Sequence, residues 1–545
     1  MSTSALAFSL LPSDIAQFSP RLGSLSLRRR DSSTSSVIEI KTPNFTTSTS
    51  RGVIPHLSRD HVRSIKSIRW TGVPFESFLD RVPPVPVLQT GSAPLHTFLG
   101  YDRGQHILAM SVRDPFDGRD MPANGKDHIS ALCIRGVRKV TPSSWKSYFY
   151  SCKPDVVVAL SDVPYTQAPQ SQKRLQKSIE RSTVWLTHLL SKSDAPAAAS
   201  SPEAPSGRPN VLVNLVGGTD ERARAAFSEN LVEILQGKEQ EQISPLRTLD
   251  EGVTGYQFEL LPLRATLRAE YGQVSQEQDS TSEAGQLSAL MRASLHSLPS
   301  NKLRITYGSQ TPHEILRFIR DVGVDLFDID WAQRAASIGV TLDFRFPVPK
   351  TSVQYSVCVQ PKTRGVGKAD IGHNLFNFDY AHDHSRLAST FLDGEAFLAT
   401  QNQNSDKLPC CHCGACTPQP FASTLLHDQV TEVREHPTSP IPPYTRSYVH
   451  HLLHTHEMSS HTLLVMHNIA VMDAFFSGIR EVLQKSHSEP DLFATEVDRF
   501  LSTYAEPETL FAEAEKDWAK VESERGKGRL AREKQNQGGG EVEEG

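Results

Sequence analysis

Short runs of apolar residues alternate with amphipathic segments through the middle of the chain. Five runs are apolar enough to form buried strands: 155–160, 211–216, 256–261, 303–307 and 324–329. A segment with apolar residues at helical spacing follows each run: 172–190, 221–235, 286–298, 312–322 and 331–338. This alternation predicts repeated βα units around a parallel sheet.

Three further strand candidates lie upstream, at 84–88, 96–101 and 107–112, and bring the number of strands close to eight. No predicted strand is followed by the Gly-rich turn of a dinucleotide-binding fold. The pattern therefore favours an α/β protein built as a (β/α)8 TIM-type barrel over an open doubly wound sheet. In such a barrel, residues just past the strand ends face the active-site mouth. These residues are Asp162, Gly217, Gly218 and Asp328.

The composition of the chain and its longest apolar stretches exclude several classes of protein. The chain has 545 residues, of which 38% are hydrophobic and 22% charged, so wholesale disorder is excluded. The longest apolar stretch, 463–476, is too short for a membrane span and contains His467, Asn468 and Asp473. The N-terminus resembles neither a secretory signal nor an Arg-rich transit peptide, so we expect a cytoplasmic protein.

Four of the seven cysteines crowd into residues 410–416. In a reducing compartment this density indicates a metal site rather than disulfides. Cys411, Cys413 and Cys416 form a C-x-C-x-x-C knuckle, which supplies three thiolates of the four ligands that Zn²⁺ prefers. Cys410 breaks this register and is left out.

The fourth ligand is open on spacing alone, because eight histidines follow the knuckle: His427, His436, His450, His451, His454, His456, His461 and His467. His467 shares a helical face with Leu463, Val471 and Phe475, so it is expected to point inward and to be held by packing. We therefore predict one structural zinc ion bound by Cys411, Cys413, Cys416 and His467. With four protein ligands, such a site has no position for an activated water.

These residues carry a resemblance to a known family. The string CHCGAC at 411–416, the segment RSYVHHLL at 446–453 and the pair His467-Asn468 resemble the zinc segment of the tRNA-guanine transglycosylase (queuine tRNA-ribosyltransferase) family. Residues 323–328 (GVDLFD) resemble the segment that ends in the family's nucleophilic aspartate, here Asp328. The resemblance spans roughly residues 6–485. It implies a (β/α)8 barrel with a zinc subdomain, in a family that exchanges guanine for a deazaguanine base at the tRNA wobble position.

Several active-site motifs of that family are missing. The stretch that corresponds to its Asp-Ser-Gly-Gly motif is taken to be 89–93 (QTGSA), which lacks the acid/base aspartate. Its Val-Gln-Gly-Gly is replaced by 215–218 (LVGG), where Val216 cannot supply the base-reading amide. Its next Gly-Gly turn is replaced by 258–260 (FEL), and Ile329-Asp330-Trp331 follows Asp328 in place of Pro-Thr-Arg.

The resemblance therefore implies a non-catalytic member that forms a heterodimer with a catalytic queuine tRNA-ribosyltransferase subunit acting on tRNA. Asp328 occupies the family's nucleophile position, but the preferred interpretation is that it is inactive, and no other catalytic residue is predicted. Asp162 resembles a base-recognising position, although a turn-forming Asp before Pro explains it equally well. Two alternatives stay open: an active transglycosylase that uses Asp328 as nucleophile, and a stand-alone zinc-dependent RNA-binding scaffold.

The resemblance and the composition of the chain together predict its domain organisation. We predict a barrel with an N-terminal hairpin over 1–400, with disordered insertions at 191–210 and 273–285. A zinc-binding subdomain with a Pro-rich insertion at 417–443 is predicted over 401–490. A C-terminal helix over 491–521 and a disordered tail over 522–545 complete the chain.

Two surfaces are candidates for partners. The net charge of the chain is −5, yet residues 132–192 carry ten Lys and Arg against three acids, which leaves −12 for the rest. Such a segregated basic segment suits tRNA phosphates, and charge reversal at Lys173 and Arg174 would test it; a solvated helix face is an equally good explanation. The apolar helix at 463–483 has more apolar surface than one stripe requires, so part of it is expected to bury a partner.

Overall fold

A computed structural model of the chain describes residues 5–11, 16–30, 35–163, 170–192, 208–271, 281–349, 359–365, 367–389, 411–417 and 443–538. The insertion predicted at 191–210 and the Pro-rich insertion at 417–443 lie almost entirely outside these residues. The described chain divides into two compact units. The first unit comprises residues 1–330 and 476–497, and the second comprises 331–475 and 498–545.

The first unit opens with an antiparallel sheet of three strands, β1 (Ala5–Leu11), β2 (Leu22–Arg30) and β3 (Ser35–Thr42). Leucine and isoleucine side chains on one face of this sheet, such as Leu25 and Ile40, are buried in the same core as the barrel strands. The polar residues that alternate with them lie on the other face, which is the period-two pattern of a half-buried sheet.

Eight parallel strands form the barrel. In chain order they are β4 (Asn44–Thr46), β5 (Trp70–Pro74), β6 (Ile107–Ser111), then, after a separate hairpin of β7 (Ile129–Cys133) and β8 (Gly136–Val140), β9 (Val156–Val158), β10 (Val211–Asn214), β11 (Gly255–Glu259), β12 (Leu303–Tyr307) and β13 (Leu326–Asp328). Their spatial order is β4-β13-β12-β11-β10-β9-β6-β5. A parallel bridge between Thr47 and Thr71 joins the two ends of the sheet. The predicted (β/α)8 architecture is confirmed.

The helices of this unit are α1 (Arg59–Ser64), α2 (Pro94–Leu99), α3 (Pro142–Cys152), α4 (Gln172–Leu190), α5 (Glu221–Val232), α6 (Gly237–Ile243), α7 (Leu260–Tyr271), α8 (Thr281–Leu295) and α9 (Pro312–Val322). Helix α8 begins inside the insertion that was predicted at 273–285. Helices α4 and α9 have the predicted bounds. Their N-caps are Ser171 and Thr311, whose side chains accept the N–H groups of Arg174 and Glu314.

Two upstream strand predictions were wrong. Residues 85–88 form a 3₁₀ turn, and the segment 96–101 belongs mostly to helix α2. The first two barrel strands are instead β4 and β5, which are short and contain threonine and asparagine. Pro94 at the first turn of α2 and Gly100 with φ +79° just after it are the sequence features of a short helix, and they override the apolar run between them.

The second unit contains α10 (Asp330–Ser337), which begins at the last residue of the first unit, and two small antiparallel pairs. The pairs are β14 (Val340–Leu342) with β17 (Gly372–Asn374), and β15 (Thr363–Arg364) with β16 (Lys368–Ala369). Helices α11 (Arg446–His454) and α12 (Ser459–Lys485) follow, and α12 continues into the first unit.

The C-terminal region has two helices, α13 (Leu492–Thr503) and α14 (Glu508–Gly538), where one helix over 491–521 was predicted. Helix α14 extends into residues for which a disordered tail was predicted. Aromatic side chains build the core of the second unit: Phe344 packs edge-on against Phe475 and Phe500, at ring distances of 5.5 and 5.9 Å.

Candidate functional site

Three cysteines and one histidine meet at a buried point in the second unit. The Sγ atoms of Cys411, Cys413 and Cys416 lie 3.7, 3.7 and 3.3 Å from Nδ1 of His467. All four ligand atoms lie within 4.8 Å of one another, and all four residues are buried. The structure thus brings together the four residues that the sequence singled out, in an arrangement that could hold one metal ion.

Hydrogen bonds on the side away from the cysteines fix the position of the His467 ring. Its Nε2 is 3.0 Å from the carbonyl oxygen of Leu342 in β14, so Nε2–H donates there and Nδ1 is left for the metal. The next residue, Asn468, accepts the N–H of Leu342 and donates to the carbonyl oxygens of Ala332 and Val340. These bonds tie α12 to β14 and α10, so the imidazole is held in one orientation.

The electrostatics of the cluster favour a cation. Hydrogen bonds from Cys413 and Cys416 hold the pKa of the Cys411 thiol well below its usual value. Burial would lower the pKa of His467, but the charges of Cys411 and Cys413 and the hydrogen bonds with them together outweigh burial and raise that pKa well above its ordinary value. Negative charge on sulfur is therefore stabilised only when a positive partner, either a proton on the imidazole or a metal ion, is present.

The other candidate histidines are used elsewhere. His450, His454 and His461 each direct a ring nitrogen at a backbone carbonyl oxygen, at 2.8, 3.0 and 3.1 Å. His456 lies 3.3 Å from Glu522. His427 and His436 lie outside the described residues. His451 is exposed, and none of the five described histidines belongs to the metal-ligand cluster.

In the barrel, Asp328 is completely buried at the end of β13. Its carboxylate accepts the backbone N–H groups of Gly308, Ser309 and Asp330, at 2.7, 2.9 and 3.1 Å. Burial, followed by repulsion from Asp330, raises the pKa of Asp328 to about 8, although the three N–H groups oppose the shift. A carboxyl group that is largely protonated at neutral pH and bonded to the backbone is a poor nucleophile.

Asp162, just past β9, is also completely buried and saturated. Arg174 donates two hydrogen bonds to it, at 2.9 and 2.7 Å, Arg181 donates one at 3.0 Å, and the Asn124 amide donates one at 2.7 Å. The sequence analysis did not foresee these partners. The signal was present, since Arg174 and Arg181 are seven residues apart and so lie on one face of α4.

The two cavities that the described residues form at the mouth of the barrel are small. The rings of Phe116 and Tyr307 meet edge to face at 6.1 Å over a cavity of about 10 Å³, room for roughly one water molecule. A neighbouring cavity beside Gly217, Gly218 and Glu259 has about 30 Å³. An apolar cavity that takes up benzene has roughly 150 Å³. Neither cavity can hold a purine base as the chain stands.

The residues assigned to the Asp-Ser-Gly-Gly position lie in the wrong place for a catalytic motif. Residues 89–93 connect a 3₁₀ turn to α2, whereas catalytic groups of such barrels follow the strand ends. The next strand along the chain, β6, ends at Ser111, and Arg113 lies just beyond it. The Arg113 guanidinium donates to the Ser130 carbonyl and to Asn124, so it serves the structure of the mouth.

The basic segment is partly internal. Lys146 is buried, and its Nζ donates to the carbonyl oxygens of His188 and Ser191. Arg174 and Arg181 are bound to Asp162, whereas Lys173 and Lys177 are exposed. A charge-reversal test that includes Arg174 would therefore break a buried ion pair as well as remove a surface charge.

Helix α12 is not an exposed partner surface. Among the described residues it alone has the length and apolar composition of a membrane span, and 72% of its apolar window is buried inside the protein. Its apolar side chains, such as Leu464, Met472 and Ile479, are buried. The expectation that this helix buries a partner was wrong, because its surplus apolar surface packs within the chain.

Comparison with known proteins decides the family. The family model of queuine tRNA-ribosyltransferase matches residues 17–244 and 276–505. This chain belongs to the queuine tRNA-ribosyltransferase family. Three relatives are each named queuine tRNA-ribosyltransferase accessory subunit 2. The Schizosaccharomyces pombe protein is 25% identical over 83% of this chain and 77% of its own length. The Drosophila melanogaster protein is 24% identical over 86% and 88%, and the Anopheles gambiae protein 24% identical over 81% and 80%.

The family assignment makes the two buried carboxylates at the barrel mouth, Asp162 and Asp328, relevant to function. In a (β/α)8 barrel, residues at the ends of strands such as β9 and β13 face the mouth, where ligands bind. In this member Asp162 is covered by two guanidinium groups, and Asp328 is bonded to backbone N–H groups. The barrel of the family is present, and the carboxylates of Asp162 and Asp328 at its mouth are bonded within the protein.

Proposed function

We propose that this protein is the non-catalytic accessory subunit of queuine tRNA-ribosyltransferase. It pairs with a catalytic paralogue, which exchanges guanine for queuine at wobble position 34 of tRNAs with GUN anticodons. The observation that carries this proposal is the filled barrel mouth, in which both strand-end carboxylates are already bonded within the protein. The shared name of its relatives supports the same assignment.

The chemistry of base exchange explains why this mouth is inadequate. The nucleophile must attack C1′ of the ribose, and a second group must transfer a proton to the departing guanine. Asp328 is buried with a pKa of about 8, the stretch 89–93 (QTGSA) contains no carboxylate, and Asp114, just past β6, accepts the backbone N–H of Phe116. Loss of general acid/base assistance alone costs roughly 10²- to 10⁴-fold in rate.

The metal of the Cys411, Cys413, Cys416 and His467 cluster is proposed to be a single structural Zn²⁺. Tetrahedral zinc with Zn–S of about 2.3 Å and Zn–N of about 2.05 Å places sulfur and nitrogen about 3.6 Å apart. The three S···N distances of 3.7, 3.7 and 3.3 Å fit this geometry. Zinc bound there would cross-link the knuckle to α12, and its four protein ligands leave no site for chemistry.

The partners are proposed on the same basis. A subunit without a base pocket contributes to base exchange only by binding the catalytic subunit, the tRNA or both. Exposed basic residues of the 132–192 segment, including Lys173 and Lys177, suit contacts with tRNA phosphates. The expected location is the cytoplasm.

A base-exchange assay tests the proposal directly. Incorporation of labelled queuine into tRNA with a GUN anticodon is measured with the zinc-loaded chain alone, with the catalytic subunit alone and with both. We expect full turnover only in the mixture, and no loss of that turnover with Asp328→Asn or Asp328→Ala in this chain. The substitution by Asn keeps an acceptor for the N–H groups of Gly308 and Ser309 and controls for misfolding.

The alternatives predict different outcomes. Turnover by the chain alone that disappears with Asp328→Asn would identify an active transglycosylase and contradict the proposal. Failure of the chain to bind or stimulate any catalytic paralogue would favour a stand-alone zinc-dependent RNA-binding scaffold.

A further inference from the structure

A tight turn over residues 50–53, which follows β4, carries the exposed side chain of Arg51. The N–H and C=O groups of Ser50 and Val53 bond to each other at 2.9 and 3.0 Å, which leaves a two-residue loop. Both loop residues are left-handed, Arg51 with φ +51° and Gly52 with φ +77°. A Cβ on Gly52 would lie 2.5 Å from Cδ2 of Leu99, so the turn is packed tightly against α2.

Behind this turn lies a cavity of about 230 Å³, the larger part of whose wall is apolar. The rings of Phe78 and Phe98 meet edge to face at 5.8 Å and form one side. The remaining apolar wall comes from Ile54, Leu57, Val62 and Leu99. Its volume is well above the roughly 150 Å³ that accommodates benzene, so it has room for a molecule of one to two fused rings.

The rim of the cavity is cationic. Arg51 and Arg59 are exposed and line the opening, and neither forms an ion pair with another described residue. No acidic side chain lines the cavity. The Tyr101 phenol is part of the wall. The interior of the cavity is apolar, and two guanidinium groups without ion-pair partners among the described residues lie at its opening. This arrangement suits a molecule with a flat apolar ring system and an anionic group at one end.

We propose that this cavity binds a small aromatic anion, with its rings between Phe78, Phe98 and Leu57 and its carboxylate at Arg51 and Arg59. The phosphate of an aryl phosphate would satisfy the same guanidinium groups. A nucleic acid is a poor occupant, because its phosphates would reach the rim while the apolar depth stayed unfilled. The proposal is independent of the barrel mouth and of the accessory role.

Calorimetric titration of the full-length, zinc-loaded protein tests this site with three probes. These are 2-naphthoate, 2-naphthyl phosphate and the neutral 2-naphthalenemethanol. We expect saturable binding of both anions, with weaker binding of the neutral analogue. The double substitution Arg51→Gln/Arg59→Gln is expected to weaken naphthoate binding by about tenfold or more and to leave the neutral analogue nearly unchanged, since only charge-assisted hydrogen bonds are removed.

Two further variants separate the cavity from the surface. Val53 is 51% exposed at the opening, so Val53→Trp is expected to fold and to block all three probes by filling the entrance. Arg63→Gln removes a charge from the same helix, α1, at an exposed position outside the cavity, and is expected to bind as the unsubstituted protein does.

The proposal is overturned if naphthoate shows no saturable binding, or if Arg63→Gln weakens it as much as the rim substitutions do. It is also overturned if the free chain does not bind the probes but Arg51 becomes protected in the complex with the catalytic subunit. In that case the occupant would be a side chain of that subunit.

Discussion

Three buried aspartates in this chain differ in what holds them. Asp328 is held by backbone N–H groups alone, and burial raises its pKa to about 8. Asp162 is held by two guanidinium groups and an amide. Asp343, in the second unit, is held by His373, Ser389 and Arg446. The partner, rather than the burial that all three share, therefore decides whether the carboxylate charge is stable.

Asp343 gives a prediction for stability against pH. Burial would raise its pKa, but hydrogen bonding from His373 and the charge of Arg446 hold that pKa well below its ordinary value. The ionised form thus stabilises the fold above the unfolded-state pKa of about 3.9, and this contribution is lost as pH falls below that value. We expect Asp343→Asn to lower the free energy of unfolding by about 3 kcal/mol at pH 7, since it breaks a buried ion pair.

Urea unfolding at pH 7 and at pH 3.5 measures this effect. The difference between the variant and the unsubstituted protein should shrink at the lower pH. Asp379→Asn, at an exposed position in the same unit, serves as the control and should change little. Equal stability of Asp343→Asn and the unsubstituted protein at pH 7 would refute the argument.

At the scale of elements, the pattern of the sequence succeeded where local signals agreed. Helix α9 was predicted over its observed range because Thr311 caps its start and Gly323, with φ +71°, ends it. Strand β12 (LRITY) was found because three of its five residues are large and apolar, and the structure buries all five. Strands β4 (NFT) and β5 (WTGVP) were missed because each has only one or two large apolar residues, which is too few to show a periodicity.

The candidate site residues likewise divide into those that the sequence predicted and those that it did not. Cys411, Cys413, Cys416 and His467 were singled out because metal ligation demands few residue types at short spacing. The partners of Asp328 were not foreseen, because backbone N–H groups of a loop 19 and 20 residues away have no residue signature. Sequence patterns identify chemistry that depends on side-chain type, and they miss chemistry that depends on where the backbone turns.

Helix α4 allows a sharper test of tRNA binding than the charge reversal first considered. Arg174 should be left in place, because it is bonded to Asp162. We expect Lys173→Glu/Lys177→Glu to weaken tRNA binding by the heterodimer and to reduce the slope of log K against log[salt] by about 2, or one per lost phosphate contact.

The slope is measured from tRNA affinities at several salt concentrations. Lys238→Glu, an exposed position on α6, changes one charge outside the basic segment and is expected to preserve the slope. A double variant with unaltered affinity and slope would show that this face of α4 is only solvated.

A metal ion in the Cys411, Cys413, Cys416 and His467 cluster would link the cysteine knuckle to helix α12. Cys413→Ser is expected to reduce bound zinc from one ion per chain to none, and to speed hydrogen exchange in residues 411–417 and in the first half of α12, since metal binding and folding are coupled. Cys133→Ser alters a buried thiol that bonds to the Gly136 carbonyl and is the matched control. Retention of zinc by Cys413→Ser would remove that residue from the ligand set.

At the scale of the whole molecule, the chain has kept a barrel while losing its pocket. Residues that would face a substrate have become groups that bind each other, such as Arg174 with Asp162, or that fill space, such as Phe116 and Tyr307. The barrel core is built from side chains such as Trp70, Leu212 and Ile305; Tyr307 is part of it, and Phe116 packs against it. Loss of activity and retention of fold are therefore compatible.

The return of residues 476–497 to the first unit has a consequence for synthesis on the ribosome. Phe476 covers Phe45 of β4 and Phe327 of β13, at a ring distance of 5.9 Å from each. Those strands are complete by residue 330, but Phe476, which covers them, is made only after about 150 more residues. At about 5–20 residues per second, the nascent barrel waits roughly 8 to 30 s with this apolar surface open. A chaperone that binds exposed aromatic surface would have its best opportunity during that interval.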